Sequence, residues 1–337
     1  MRHSLMPEQV PHVWFNVAEW QQRPHGLQPW RVRRDLVATA RNPHFEARVA
    51  APAGVRAEVI TDAKRVELAL TPTEVGTEAP LLVDVLFEGR LLERHQLNQS
   101  PTATPTTKLH VDLPGRPGHL QVWLPHVSGV VLNEIALVDA TACDPVPSRP
   151  KWVTYGSSIT HCISADGPSQ TWPALVAREL GLELYGLGLA AQCHLDYAIE
   201  QTIAKTDADF ISLCLGINIY GRGSFDERSL PGAMHGFIAR LREAHPEVPL
   251  AVISPLTSPP AEEKPNHVGL TLAKIREIVQ TVATGFAGVG YISGPDIIGP
   301  DEVGAYLRED QLHPHARGYE FMARRLAPRL SRVFNLA

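Results

Sequence analysis

Residues 151–160 read Lys-Trp-Val-Thr-Tyr-Gly-Ser-Ser-Ile-Thr and lie near the middle of the 337-residue chain. The apolar, β-branched run ends abruptly at Gly156, two serines follow, and a helical pattern begins further on. In open α/β sheets, ligands bind and reactions occur at the carboxyl ends of the strands. The stretch therefore suits either an exposed nucleophile at Ser158 or an ordinary polar turn, and the remaining sequence must decide between them.

After this stretch, strand-like and helix-like segments alternate to the end of the chain. Phe210–Leu215 is almost continuously apolar, which is typical of a strand buried on both faces of a helix-covered parallel sheet. The alternation predicts a doubly wound α/β domain. Its predicted strands are Trp152–Tyr155, Glu183–Leu187, Phe210–Leu215, Leu250–Ser254 and Val289–Ile292, and its predicted helices are Trp172–Leu180, Leu195–Ala204, Ala233–Ala244, Leu270–Ala283 and Ala316–Phe334.

The first half of the chain consists of short strand-like runs separated by glycine- and proline-containing turns. Arg65–Leu70 alternates, so that Val66, Leu68 and Leu70 share one face of a half-buried strand. This spacing predicts a β-sandwich or jelly roll. The predicted strands are Val55–Thr61, Arg65–Leu70, Leu81–Phe87, Leu109–Leu113, His119–Leu124 and Val130–Val138.

A proline-rich segment separates the two halves. Cys143–Pro150 contains three prolines, which prevent both strand pairing and helix continuation. We therefore expect a β domain at residues 1–145 and an α/β domain at residues 146–337.

Composition excludes several classes of function. The formal net charge of −5, with no long basic run, argues against nucleic acid or an anionic membrane as the main partner. No apolar stretch approaches a membrane span and the N-terminus lacks a signal-peptide core, so we expect a cytoplasmic protein. The cysteines show no metal-ligand spacing, which favours reduced, structural thiols and no metal or other cofactor.

Polar or glycine-rich residues follow several predicted strands, in the order Ser158, Gly188, Asn218 and then Asp310 with His313 before the last helix. In these four segments the chain resembles the SGNH (GDSL-like) hydrolase superfamily of esterases and acylhydrolases. The resemblance covers about residues 151–335 and implies a flavodoxin-like parallel sheet flanked by helices. It also implies a Ser-His-Asp triad of Ser158, His313 and Asp310, and an oxyanion hole formed by the backbone N–H groups of Ser158 and Gly188 with the Asn218 amide.

The chemistry of acyl transfer explains why these residue types are needed. A serine hydroxyl needs an adjacent base, which would be His313, and the base needs a carboxylate to fix its tautomer, which would be Asp310. Neighbouring His315 is an alternative imidazole, but the Asp-x-x-His-Pro spacing favours His313. Cys162 is an alternative nucleophile, but nothing near it in the sequence would lower the pKa of its thiol.

The chain departs from the family pattern at several positions, which bear on the pocket and the substrate more than on the nucleophile. Ser157 replaces the usual aspartate, and Ile219-Tyr220 follows Asn218 where an aspartate is common. The glycine-rich stretch after Asn218 makes Tyr220 and Arg222 candidate substrate contacts, and the loop over residues 254–267 could form a wall or lid. In the β domain, Trp14, Trp20, Trp30 and Trp123 could stack on sugars, although tryptophans in a sandwich more often belong to the core.

The sequence thus predicts a serine esterase that removes a small acyl group, such as acetyl, from a carbohydrate or another small molecule. An acyltransferase or thioesterase that uses the same triad is an alternative. So is a protein with little catalysis whose β domain, resembling the jelly-roll modules that precede some carbohydrate deacetylases in this superfamily, binds carbohydrate. The oligomeric state is left open by the sequence.

Overall fold

The computed structural model describes residues 1–74 and 79–336. Within these ranges the chain folds into two compact units. The first, here called the β unit, comprises Met1–Ala38, Asn42–Arg149 and Gly167–Ser169, and the second, the α/β unit, comprises Thr39–Arg41, Pro150–Asp166 and the residues from Gln170 onward.

The β unit contains two antiparallel sheets, each with six strands among the described residues. The first sheet has the order β3-β4-β11-β6-β9 with β1 beside β11, and the second has the order β12-β5-β10-β7-β8 with β2 beside β5. These sheets confirm that the first half is β-rich, whereas the jelly-roll connectivity stays a prediction. The strands are β1 (Arg2–Ser4), β2 (Trp14–Phe15), β3 (Glu19–Arg23), β4 (Gly26–Trp30), β5 (Arg56–Thr61), β6 (Arg65–Pro72), β7 (Leu82–Phe87), β8 (Arg90–Gln96), β9 (Thr107–Asp112), β10 (Gly118–Trp123), β11 (Val130–Val138) and β12 (Cys143–Asp144), and the helices α1 (Arg34–Ala40) and α2 (Pro43–Ala50) lie between β4 and β5 in the chain.

Most of the tryptophans considered for sugar stacking belong to the core. Trp14, Trp30 and Trp123 are all less than a tenth exposed. Trp20 is half-buried and meets the Trp14 ring edge-on, with 5.0 Å between the ring centroids. Packing of this kind is the usual role of tryptophan in a β core.

An ion cluster lies inside the β unit around Glu58, which is fully buried on β5. Its carboxylate accepts hydrogen bonds from Arg149 at 2.8 Å and His119 at 2.7 Å and forms an ion pair with Arg56. The Arg56 guanidinium lies 4.8 Å from the centroid of the Trp123 ring. Burial acts to raise the pKa of Glu58, but Arg56, His119 and Arg149 outweigh it and hold that pKa far below its usual range.

The α/β unit is built on a five-stranded parallel sheet with the order β14-β13-β15-β16-β17. Parallel strands in this order, with flanking helices, confirm the predicted flavodoxin-like fold. The strands are β13 (Lys151–Gly156), β14 (Glu183–Gly188), β15 (Phe210–Cys214), β16 (Leu250–Ile253) and β17 (Val289–Ile292). The helices are α3 (Ser158–His161), α4 (Trp172–Glu179), α5 (Tyr197–Lys205), α6 (Ile217–Arg222), α7 (Ser229–Ala244), α8 (Pro259–Glu262), α9 (Leu272–Thr284), α10 (Val303–Tyr306) and α11 (Ala316–Val333).

The inner strand β13 is buried on both faces, as its apolar sequence predicts. Trp152 is fully buried and its Nε1 donates to the Ser212 hydroxyl at 3.0 Å, which in turn donates to Thr154 at 2.9 Å. The hydroxyls of the inner strands are thus satisfied within the sheet, as buried polar groups require.

No helix in residues 1–74 and 79–336 is long and apolar enough to cross a membrane. The four cysteines are free thiols, and Cys162 and Cys193 are buried.

Candidate active site

The predicted nucleophile lies in a sharp turn at the carboxyl end of β13, which we call the serine turn (Gly156–Ser158). Gly156 is the last residue of β13, and Ser158 is the first of the short helix α3. The hydroxyl of Ser157 accepts the Ile159 N–H at 3.2 Å and so caps α3. A Cβ at Gly156 would lie 2.2 Å from the Thr160 hydroxyl oxygen and 2.9 Å from Cys214 Cβ, so a side chain at this position would displace its neighbours.

Asp310 and His313 fold back on each other in the loop between α10 and α11. Asp310 Oδ1 accepts the backbone N–H groups of Leu312 at 3.0 Å and His313 at 2.9 Å. The other oxygen, Oδ2, lies 2.7 Å from His313 Nδ1. Gln311 takes a left-handed conformation with φ of 52°, which tightens the loop between the two.

The same imidazole reaches the serine turn. His313 Nε2 lies 2.9 Å from Ser158 Oγ, which completes a hydrogen-bonded chain from Ser158 through His313 to Asp310. An ionised carboxylate only accepts hydrogen bonds, so Nδ1 carries the ring proton and Nε2 accepts from the hydroxyl. This is the protonation pattern that a general base for a serine requires.

The electrostatics of the loop keep the carboxylate ionised. Partial burial acts to raise the pKa of Asp310, but hydrogen bonds from the backbone and ring of His313 and the backbone of Leu312 outweigh it. The pKa of Asp310 therefore lies below its usual value, and the negative charge is present at neutral pH.

The two alternative residues occupy other positions. His315 caps α11, since its Nδ1 accepts the Gly318 N–H at 3.3 Å and its Nε2 lies 3.0 Å from the Ala305 carbonyl. Cys162 is fully buried, and burial raises the pKa of its thiol well above its usual value. A buried, protonated thiol is a poor nucleophile.

The other predicted residues end neighbouring strands at the same edge of the sheet. Gly188 is the last residue of β14 and lies opposite Gly156 in the sheet register. A Cβ there would lie 2.4 Å from the His161 backbone nitrogen, so glycine is needed for α3 to pack against β14. Asn218 lies in the first turn of α6, just after β15, and its Oδ1 accepts the Cys193 N–H at 3.0 Å. Because Oδ1 accepts this bond, the Asn218 amino group is left to donate hydrogen bonds elsewhere. The oxyanion roles of Gly188 and Asn218 stay a prediction.

The two candidate substrate contacts differ in their surroundings. The Tyr220 hydroxyl donates to the Lys264 carbonyl at 3.0 Å, and Asn266 Nδ2 donates to the Tyr220 carbonyl at 2.9 Å. Tyr220 thus anchors the loop that follows α8. Arg222, at the end of α6, is exposed. Substrate contact by either residue stays a prediction.

A cavity of about 30 Å³ borders the serine turn. Ser157 and Ile159 line one side of it, and Ile217, Leu256 and Met322 contribute to a mostly apolar wall. Ser158, His313 and the predicted oxyanion residues Gly188 and Asn218 are not among the residues that line it. No group of three or more His, Cys, Asp or Glu side chains in the described ranges is arranged to hold a metal ion.

Sequence patterns did not identify His161 as part of this region. It is buried, and its Nδ1 accepts the Ala190 N–H at 3.2 Å, which ties α3 to the segment that follows β14. A histidine within the otherwise apolar segment after Ser158 is the signal that could have indicated a buried, hydrogen-bonded ring.

Comparisons with known proteins identify the family to which the chain is similar. A GDSL-like lipase/acylhydrolase family model matches residues 154–321, the range that contains all five predicted catalytic and oxyanion residues. The salicylyl-acyltransferase SsfX3 from a tetracycline biosynthetic pathway is 30% identical, with a TM-score of 0.85, over 96% of this chain and 94% of that one. A search of curated proteins gave no match.

Two more distant structures share the fold. A candidate GDSL-like lipase from Bacteroides ovatus is 19% identical, with a TM-score of 0.73, over 96% of this chain and 95% of that one. A family two carbohydrate esterase from Clostridium thermocellum, in complex with cellohexaose, is 15% identical, with a TM-score of 0.64, over 96% of this chain and 99% of that one.

Proposed function

Because the chain belongs to the GDSL-like lipase/acylhydrolase family, we propose that it is a serine esterase that hydrolyses small acyl esters. The observation that carries the proposal is the hydrogen-bonded chain in which His313 lies 2.9 Å from Ser158 Oγ and 2.7 Å from Asp310. Three residues in this arrangement form a nucleophile, a general base and an orienting carboxylate.

In the proposed mechanism, His313 Nε2 takes the hydroxyl proton as Ser158 Oγ attacks the carbonyl carbon of the ester. The tetrahedral intermediate collapses when the imidazolium returns that proton to the leaving alcohol, and an acyl-enzyme remains. Water then attacks the acyl-enzyme while His313 again acts as the base, and the bond between Ser158 Oγ and the acyl carbon breaks as the imidazolium returns the proton to Oγ and the acid leaves. Asp310 stabilises the imidazolium in both halves of the reaction and does not itself accept the proton.

The developing oxyanion needs hydrogen-bond donors that are already in position. The family resemblance assigns this role to the N–H groups of Ser158 and Gly188 and to the amide of Asn218. The bond from Cys193 to Asn218 Oδ1 supports the assignment, because it orients the amide with its amino group as the donor. Loss of one such donor lowers kcat by roughly 10²–10³-fold in comparable sites.

We include a small acyl group, such as acetyl, in the proposal. An acetyl xylan esterase from Butyrivibrio proteoclasticus with a similar fold is compatible with acetyl as that group. The family two carbohydrate esterase with a similar fold is compatible with a carbohydrate as the alcohol, which we include in the proposal together with other small-molecule esters.

The first experiment measures hydrolysis of p-nitrophenyl acetate by the wild-type protein and by Ser158→Ala. We expect Ser158→Ala to lose activity by at least about 10³-fold, because a triad without its nucleophile retains only the residual catalysis of the surrounding site. Ser148→Ala, at an exposed serine before β13, serves as the control and should be fully active. Turnover that survives in Ser158→Ala would remove the nucleophile assignment.

Esters of increasing chain length test the acyl group. The kcat/KM for p-nitrophenyl acetate should exceed that for the octanoyl ester by at least about tenfold, since a small apolar pocket discriminates by single methylene groups. A preference for the longer ester would contradict the proposed small acyl group, but it would not contradict the assignment of the triad.

Acyl transfer is the second candidate, and the 30% identity to a salicylyl-acyltransferase over 96% of the chain favours it. The same acyl-enzyme would then react with an alcohol in place of water. Product analysis with added alcohols decides between the two: a transferase forms more new ester than free acid at millimolar acceptor, whereas an esterase forms mainly acid.

A further inference from the structure

The segment between β14 and α5, residues 189–196, which we call the β14–α5 loop, has an unusual backbone. Ala191 and Leu195 both take left-handed conformations, with φ of 59° and 64°. Such conformations are unfavourable for residues with a Cβ and persist only where surrounding contacts impose them. The contacts that hold this loop are therefore part of its function or its stability.

His194 provides two of these contacts. Its Nδ1 lies 2.8 Å from Ser224 Oγ, and its Nε2 lies 3.2 Å from the Ala191 carbonyl. A carbonyl only accepts, so Nε2 carries the proton and Nδ1 accepts from the Ser224 hydroxyl. One ring thus closes the left-handed turn at Ala191 and joins the loop to the segment after α6.

The neighbouring residue holds the other end of α6. The Cys193 N–H donates to Asn218 Oδ1 at 3.0 Å, and Asn218 lies in the first turn of α6. Cys193 and His194 therefore contact the two ends of the same short helix. Cys193 contacts Asn218 in its first turn, and His194 contacts Ser224 just after its last residue.

The end of the β14–α5 loop nearest α5 is held by the buried strand β13. The Leu195 N–H donates to the hydroxyl of Tyr155 at 3.3 Å. Tyr155 is fully buried on β13 and its ring stacks on Phe237, with 5.9 Å between the centroids. One end of the loop is thus fixed on β13, the buried Cys193 thiol donates to the Cys214 carbonyl at 3.7 Å, and His194 adds the bridge from the loop to Ser224.

We propose that His194 is a positioning residue that holds the Cys193 N–H against Asn218 Oδ1 and thereby keeps the Asn218 amino group directed for donation to the oxyanion. This inference rests on the proposed function, since it assigns to Asn218 an oxyanion contact. His194 itself touches neither the substrate nor the triad in this role. The Ser224 hydroxyl is its partner.

The test compares His194→Ala with His194→Asn, assayed on p-nitrophenyl acetate. His194→Ala should lower kcat about tenfold with little change in KM, because an oxyanion donor acts in the transition state and not in substrate binding. His194→Asn should recover most of kcat, because its side-chain oxygen can still accept from Ser224. A rise in KM at unchanged kcat, or equal losses in both variants, would overturn the inference.

A double-mutant cycle with Asn218→Ala separates positioning from general stabilisation. Asn218→Ala should lower kcat by about 10²-fold, and adding His194→Ala should then lower it no further, because both changes remove the same interaction. If the kcat of the double variant fell by the product of the two single losses, His194 would not act through Asn218 and the inference would be overturned. A normal kcat for Asn218→Ala would instead remove the oxyanion assignment itself, and with it the role of His194.

His245→Ala is the matched control. His245 is also half-buried and also lies against one backbone carbonyl, that of Ile203 at 2.9 Å, but it follows α7 at the amino end of the sheet. Its loss should lower the melting temperature and leave kcat unchanged. If His245→Ala lowered kcat as much as His194→Ala, the effect of His194 would be one of overall stability and the inference would fall.

Discussion

Asp310 uses both of its carboxylate oxygens to fix the conformation of residues 310–313. Oδ1 accepts two backbone N–H groups and Oδ2 accepts from His313 Nδ1 at 2.7 Å. The backbone bonds fix the carboxylate in the loop, so that the loop, rather than the side chain alone, presents the imidazole to Ser158. Orientation of the base is thus encoded by a short-range motif.

Asp310→Asn should preserve the conformation of the loop but change the tautomer of His313. An amide nitrogen facing His313 Nδ1 would move the ring proton to Nε2, which could then no longer accept from Ser158. We expect kcat for p-nitrophenyl acetate to fall by as much as ~10⁴-fold, with a nearly unchanged melting temperature. Glu309→Gln, an exposed neighbour with the same change of charge, should retain full activity. A near-normal rate for Asp310→Asn would indicate a Ser158–His313 dyad.

The residues of the site could be predicted from the sequence to different extents. The spacing of Asp310 and His313 is local, so the Asp-x-x-His pattern already indicates their contact. Ser158 and His313 lie 155 positions apart, and no local pattern brings them together; family resemblance and strand order were needed. The direction of the Tyr220 side chain is set by Lys264, a tertiary contact that composition cannot reveal.

At the scale of elements, the packing of α3 against β14 explains the glycine at the end of that strand. A Cβ at Gly188 would lie 2.4 Å from the His161 backbone nitrogen and 2.6 Å from the Thr160 carbonyl carbon. Backbone atoms cannot move aside as a flexible side chain can. The family resemblance implies an oxyanion role for Gly188, and the structure adds that the backbone of α3 approaches this glycine closely.

Gly188→Ala should therefore displace α3 together with Ser158. We expect a loss of stability of about 1–3 kcal/mol, as for other overpacked sites, and a fall of kcat for p-nitrophenyl acetate of at least about tenfold. In Gly232→Ala, on α7, the new methyl group would meet nothing within 4 Å, and the higher helix propensity of alanine should slightly raise the melting temperature. Equal activity in both variants would contradict this account of Gly188.

The strands of the α/β unit match their predicted positions closely because buried parallel strands are continuously apolar, and the longer helices α4, α5, α7, α9 and α11 match because their apolar faces are periodic. The short helices α3, α6, α8 and α10 were not predicted. The early elements β1–β4, α1 and α2 were not predicted, since they are short and show neither alternation nor long helical periodicity. The edge strand β8, with the sequence Arg-Leu-Leu-Glu-Arg-His-Gln, was also missed. Its first four residues are exposed, so burial did not shape an alternating pattern there.

The Glu58 cluster joins β5 and β10 and makes the β unit sensitive to acid. Because the folded pKa lies far below that of an unfolded carboxyl, about 4.3, the cluster stabilises fully above about pH 5, and its contribution declines progressively as the pH falls below about 4 towards the folded pKa. Glu58→Gln should cost about 3–5 kcal/mol at pH 7, since it leaves Arg56 buried without its counter-charge. Urea unfolding between pH 7 and pH 3.5 should show a steep decline for the wild type and a shallower one for Glu58→Gln. Glu93→Gln, at an exposed carboxylate, should match the wild type at each pH.

At the scale of the whole molecule, the chain combines two compact units with different architectures. The β unit is antiparallel, and the α/β unit is parallel and contains Ser158, Asp310 and His313. We propose that the two unfold as separate domains, divided near residues 145 and 146.

Scanning calorimetry tests this division on the full chain. We expect two thermal transitions. Glu58→Gln should lower the melting temperature of the β unit alone, and Gly188→Ala should lower that of the α/β unit alone. Small single domains unfold cooperatively, so separate shifts would identify separate domains. One transition that both substitutions displace equally would show that the chain unfolds as a single cooperative body.

The 155 positions between Ser158 and His313 also set the moment in biosynthesis at which the proposed triad can assemble. As a ribosome extends the chain from its N-terminus, the serine turn can form long before the Asp310–His313 loop has left the exit tunnel. Until then the serine hydroxyl has no proton acceptor and is as inert as any surface alcohol. A chain that stops between the serine turn and residue 310 therefore carries the proposed nucleophile without its base, and ester hydrolysis would begin only after the Asp310–His313 loop has emerged and folded.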